Sequence, residues 1–394
     1  MIVVAGFLTV FASLGLARFG LGMLLPSMGA GLGLSYSQMG LISTGNFVGY
    51  MTAVVAAGVL VTRVGSRRTI VLGLALAAFC MIIISRASDF LQVLSLYVVT
   101  GLGSGLANVP AMAIVSFWFT RAQRGKAAGY VASGSGLGIL LAGLTLPALG
   151  TGSDAWRVGW LGLGLITLIV AVLCGVLVRN RPTDLGLSPL GRPHASDAHD
   201  TAMPARASTR RLIFHIGAIY SLFGASYVIY LTFFLTSLVK DRGMSDVEAG
   251  ELWAALGFLS LFSGPIFGTL SDRLGRSAGL MIVYATQGLA YLLAAVPLPP
   301  VFLYVSVALF GLVAWSIPSI MAALVGDFFG PDRAAKAFGT ITLFFGFGQI
   351  VGPAVAGWAA EWAGGFAISF AIASVLAFLA IGLTALMPRP VKSG

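Results

Sequence analysis

Twelve apolar runs, each long enough to cross a bilayer, leave this chain few folds to choose from. They occupy 2–30, 36–61, 69–86, 90–117, 125–149, 156–178, 211–238, 247–270, 278–297, 300–326, 334–360 and 364–387. A spanning helix needs about 20 mainly apolar residues, whereas a spanning strand needs only about 10. Only 9% of the chain is charged, against about 25% in a soluble domain. The sequence therefore reads as an all-α integral membrane protein with twelve transmembrane helices, the lipid bilayer being its first partner. Met1 leads straight into apolar residues with no small-residue cleavage site behind a short core, so the first run is expected to be retained as a helix.

The formal net charge of +10 would suggest nucleic acid on a soluble domain, but here it sorts by loop. Of the 23 Lys and Arg, 18 follow even-numbered spans, and four (Arg86, Arg157, Lys240, Arg242) lie on the opposite side. The positive-inside rule then predicts a multi-pass protein of the cell (inner or plasma) membrane, with both termini cytoplasmic and no nucleic-acid partner. The remaining basic residue is Arg18, deep in the first span. All 13 carboxylates fall in loops or at span ends, so none is left to neutralise it. An ionised side chain at such a depth costs at least about 2.5 kcal/mol and is kept where it faces a cavity or a partner.

Residues 179–208 are rich in Pro, Gly, Ser, Asp and Arg, the composition of a solvated linker. They divide the chain into a six-helix bundle at 1–178 and another at 209–394. The halves are copies offset by 210 residues: Gly33 matches Gly243, Gly40 Gly250, Gly65 Gly275, Gly101 Gly311, Lys126 Lys336 and Gly138 Gly348. Parallel repeats of this kind build transporters whose substrate site lies near mid-membrane between the halves. His194 and His199 in the linker are too few to form a metal site. Cys80 and Cys174 fall inside apolar spans and read as small buried residues. No phosphate loop, zinc spacing or nucleophile triad occurs on a solvated segment, so the sequence predicts no cofactor, no metal and no enzyme activity.

Gly268, Asp272, Arg273, Gly275 and Arg276 resemble the loop signature G-x-x-x-D-R-x-G-R of the major facilitator superfamily, and the resemblance covers the whole chain. The first-half copy, Gly58, Arg63, Gly65, Arg67 and Arg68, has Thr62 where the Asp should be. In the superfamily that Asp is associated with inter-helix contacts that latch the cytoplasmic side. The resemblance thus implies conformational roles for both loops and a latch at Asp272 but not at Thr62. Trp156-Arg157 and Arg181-Pro182 with Leu185-Gly186-Leu187 resemble organic-anion (monocarboxylate) branches. Ala17-Arg18-Phe19 with Leu25-Pro26 resembles a bacterial branch of uncharacterised transporters called YbfB-like. The Gly-Pro pair that drug/proton antiporters carry in span 5 is missing, which weakens drug antiport.

The resemblance also implies that spans 1, 4, 7 and 10 line the cavity. In span 4, Thr100, Ser104 and Asn108 share one helical face. Span 7 repeats span 1 with Tyr227 and Tyr230 flanking the position of Arg18, although the two do not share a face. Asn46, Trp315 (beside Ser316) and Gln349 complete the candidate substrate contacts, each weighed against plain inter-helix packing. His215 reads as interfacial. The expected function is transport of a small organic anion by alternating access, with Arg18 as counter-charge. Proton coupling (on the substrate, His215 or Glu251), uniport and anion exchange all stay open. Export of neutral or hydrophobic compounds, with Arg18 structural, is the alternative. A transport-inactive sensor of the same fold is the remote alternative, disfavoured because no soluble domain is appended in this sequence. A monomer is expected.

Overall fold

The computed structural model describes residues 1–150, 152–188, 190 and 206–388. His194, His199 and the rest of 191–205, together with 389–394, lie outside them. Among the described residues, twelve helices are long and apolar enough to span a membrane. They are α1 Ile2–Gly31, α2 Tyr36–Val64, α3 Ser66–Ile84, α4 Phe90–Trp118, α5 Gln123–Leu149, α6 Ala155–Leu177, α7 Thr209–Lys240, α8 Asp246–Leu274, α9 Arg276–Ala295, α10 Val301–Gly330, α11 Lys336–Ala363 and α12 Ala367–Ala385. The twelve runs read from the sequence are these helices, and the chain is a multi-pass membrane protein. Large apolar side chains such as Val55, Val172, Phe347 and Trp362 stand exposed on it. That surface is stable only where lipid, not water, meets it.

Local chemistry sets the helix ends. Ser35 caps α2 with its hydroxyl on the Gln38 N–H, while the Gln38 side chain accepts from the Ser35 N–H, a reciprocal capping box. Asp89 caps α4 through the Gln92 N–H. Three spans are interrupted. α1 passes through a wide π turn at Phe11–Leu16, α5 breaks at Ser133, and α10 breaks at Trp315.

By contact the chain forms two compact units. The first comprises Met1–Ala195 and Leu231–Leu261, and the second Ser196–Tyr230 and Phe262–Gly394. The boundary cuts α7 and α8, so the tip of their hairpin belongs with the first six helices and not with its own sequence repeat. Within the first unit this tip is closely held. The Ser43 and Thr232 hydroxyls bond at 3.0 Å, and a Cβ on Gly143 would lie 2.5 Å from the Gly250 carbonyl oxygen. Small residues at such crossings let membrane helices reach backbone-to-backbone distance. Cys80 and Cys174 are buried free thiols.

Candidate substrate site

In the first unit the site grows from the irregular part of α1. The π turn ends at Ala17, and the N–H groups of Ala17 and Phe19 reach back five residues, to Ala12 and Leu14. Such a turn frees carbonyls that lipid cannot satisfy. The Tyr97 hydroxyl of α4 takes them, bonding to the Arg18 oxygen at 2.9 Å and the Ala17 oxygen at 3.1 Å. Arg18 therefore projects from a widened, pinned turn.

Its side chain is 7% exposed. The guanidinium carbon lies 3.9 Å from the Tyr50 ring centroid and 4.7 Å from that of Phe47, both on α2. Cation–π contacts of this kind are worth about 0.5–2 kcal/mol each, enough together to offset much of the insertion cost. Both rings lie against the guanidinium carbon. The guanidinium edge is different: Nε and Nη2 are buried with no hydrogen-bond partner.

Beside this group α2 and α4 cross closely. A Cβ on Gly105 would meet the Tyr50 oxygen at 2.9 Å, and one on Gly45 would meet Leu94 at 2.8 Å. The same approach lets the Asn108 amide donate to the Tyr50 hydroxyl at 2.7 Å. Of the polar stripe read on α4, only Asn108 enters this group. Thr100 bonds back to the Leu96 oxygen in its own helix, and the buried Ser104 hydroxyl has no partner. Asn46 donates to the Tyr97 oxygen at 3.3 Å, while its own Oδ1 is buried without a partner.

The second unit brings Tyr227 of α7 and Gln349 of α11 together, the Gln349 amide donating to the Tyr227 hydroxyl. Trp315 meets Tyr227 edge-on at 6.3 Å. Tyr230 points elsewhere. It is fully buried, bonded to the Ser306 hydroxyl at 2.8 Å, and packed on Phe310 and Tyr291. His215 bonds to the Leu383 oxygen at 2.8 Å. Phe47, Tyr50 and Tyr97 were not among the sequence candidates. Tyr50 lies one helical turn from Asn46, which was.

A family model described as "Uncharacterised MFS-type transporter YbfB" matches residues 10–385. The chain is 29% identical over 336 residues to Monocarboxylate transporter 2 of Meriones unguiculatus, covering 78% of this chain and 68% of that one. It is 26% identical over 264 residues to the Hexuronate transporter of Bacillus subtilis (strain 168), covering 65% of this chain and 61% of that one. The match thus spans about two thirds or less of those relatives' own length. Among solved structures, a bacterial homolog to the human lysosomal transporter Spinster, inward-facing and unoccupied, aligns with TM-score 0.76 at 16% identity, covering 98% and 96% of the two chains. A nucleoside transporter aligns with TM-score 0.75 at 14% identity, covering 99% and 100%. At those identities the likeness is one of fold.

Proposed function

The chain belongs to the YbfB-type family of MFS transporters, and from that premise we propose that it carries a small organic anion, a monocarboxylate, across the membrane by alternating access. The observation that carries this reading is the unpaired Nε and Nη2 edge of Arg18. Those two N–H groups form one of the planar forks that meet both oxygens of a carboxylate. Phe47 and Tyr50 lie against the guanidinium carbon, and the Nε and Nη2 edge is left for a ligand. Arg18 is the one buried Lys or Arg among the described residues, and a single fixed cation favours a monoanion over a dianion. The similarity to a monocarboxylate transporter and a hexuronate transporter supports an organic acid without naming it. We propose further that the repeat halves, 1–178 and 209–394 joined by 179–208, are the bodies that rock. The Lys- and Arg-rich loops would face the cytoplasm, in keeping with their 18-to-4 distribution.

A second reading is favoured by the same two rings. Phe47 and Tyr50 offset enough of the cost of Arg18 to make it structural, leaving a carrier of neutral or hydrophobic compounds. Substitution separates the two. Arg18→Lys keeps the charge but loses the planar fork, so binding of a carboxylate found by ligand screening should weaken roughly tenfold to a hundredfold. Arg18→Gln should abolish binding and uptake into liposomes. The unliganded melting temperature of both should stay near wild type, because Arg18→Lys keeps a cation beside Phe47 and Tyr50 and Arg18→Gln exchanges a buried charge for a neutral group. Full uptake by Arg18→Gln, or its failure to fold, would assign Arg18 to structure.

A further inference from the structure

Within the second unit, α7 and α11 cross at backbone distance. A Cβ on Gly352 would lie 2.7 Å from the Ala225 oxygen, and one on Gly224 would lie 3.1 Å from the Phe345 ring. The crossing layers four aromatic rings. Tyr220, Phe223 and Tyr227 follow one another along a face of α7, and Phe345 enters from α11. Tyr220 and Phe345 have centroids 4.4 Å apart and planes 14° apart, and Phe223 and Tyr227 are 4.7 Å and 18° apart. Phe223 and Tyr227 each lie within 13° of the Phe345 plane at 5.6 and 5.9 Å. Offset-parallel and edge-to-face contacts are both ordinary among packed rings. Here all contacting pairs in the set are near parallel.

One turn beyond Phe345, Gln349 is 1% exposed. Its amide nitrogen is held by Tyr227, while its amide oxygen is buried with no partner. The lipid-facing side of α11 carries Leu343 and Phe347, 52% and 64% exposed. At 100° per residue Phe345 and Gln349 lie on the opposite side. The partial exposure of Phe345 is therefore not toward lipid.

We infer that this face of α7 and α11 is a binding site for a flat, unsaturated ring bearing a hydroxyl or N–H donor. The ring would extend the parallel stack over the partly exposed Phe345, and its donor would meet the Gln349 oxygen. Parallel ring faces select planarity, and a buried acceptor built to receive a hydrogen bond rejects ligands that lack the donor. The inference goes beyond the anion reading, because neither element involves charge.

The test is equilibrium dialysis of the purified full chain in lipid nanodiscs with labelled resorcinol, against labelled 1,3-cyclohexanediol. The two carry two hydroxyls in the same 1,3 relation, but only resorcinol is flat. Both are uncharged, so the outcome does not depend on Arg18. Resorcinol should bind saturably and at least about tenfold more tightly than the diol. Gln349→Met and Phe345→Leu should each weaken it by about tenfold or more. Equal affinity for the two probes, no saturable binding, or resorcinol affinity unchanged in both variants would overturn the site. Should either variant fail to fold, the comparison of probes on wild type decides alone.

Discussion

The loop joining α2 to α3 and the loop joining α8 to α9 are copies of one sequence, yet they are held by different chemistry. Each turns on a glycine in the left-handed region, Gly65 at φ +83° and Gly275 at φ +92°. In the second copy the partners are ionic. Arg276 donates to Asp272, to the Ser271 hydroxyl at 3.0 Å and, across to the end of α10, to Asp327 at 3.0 Å. In the first copy the Thr62 hydroxyl turns back to the Val59 oxygen of its own helix, and Ser66 stands where the repeat has Arg276. Asn180, just beyond α6, substitutes for them. Its side-chain oxygen accepts the Arg67 N–H at 2.8 Å, while Arg67 Nε donates to the Gly175 oxygen at 2.7 Å. A first-turn N–H of α3 is thus capped from the segment that follows α6. The comparison teaches that the repeat preserves the backbone turn more strictly than the partners that hold it. An ionic clasp is screened by salt, and a neutral cap is not.

The largest difference should come from the glycines. An alanine at either position pays about 1–3 kcal/mol, because positive φ with ψ of 158° at Gly65 and 150° at Gly275 is a region that glycine almost alone adopts. At Gly65 the new Cβ would also press on the Asn180 amide at 3.0 Å, whereas at Gly275 it meets nothing within 4 Å. Gly65→Ala should therefore lower the melting temperature in lipid clearly more than Gly275→Ala. Equal shifts would break the comparison at its base. Next in size is Asn180→Ala, which removes the cap from α3 at a cost of about 1 kcal/mol. That loss should be the same in low and high salt. A salt-dependent loss would mean that charges hold this loop after all.

Much of this was legible in the sequence. Twelve helices follow from apolar run length, and the paired glycines follow from the 210-residue repeat. Arg18 is conspicuous as the one charge inside a span. Its partners were not legible, because a cation–π contact needs two helices at a defined crossing, and 26 Phe and 10 Tyr give no way to single out Phe47 and Tyr50. Tyr227 and Tyr230 look alike in the sequence and differ only once Ser306 and Phe310 claim the latter. Asn180 was hidden for the opposite reason. It opens a stretch whose composition reads as solvated linker, yet the Trp118 indole donates to the Arg179 oxygen and the Leu190 N–H returns to the Trp118 oxygen. Its described residues Arg179 and Leu190 are thus bonded to the end of α4. The hairpin tip Leu231–Leu261 was illegible too, since a repeat records descent and not which helices a segment touches.

The smallest effect is the most discriminating, because it concerns rate and salt more than stability. Asp272 and Asp327 side chains are 60% and 46% exposed, and ion pairs this open contribute about 0–1 kcal/mol. Asp272→Asn should leave the melting temperature almost unchanged. If the ionic clasp steadies one transport state, the same substitution should slow liposome uptake a fewfold in dilute buffer. At ~1 M salt, where the Debye length falls to about 3 Å, wild type should slow toward the variant and the gap should close. Thr62→Asn touches a side chain that bonds only within its own turn, so uptake should match wild type at both salt concentrations. Uptake rates that fall equally in Asp272→Asn and Thr62→Asn, or a gap that persists in high salt, would show that the charges around Arg276 do not distinguish the two loops in function.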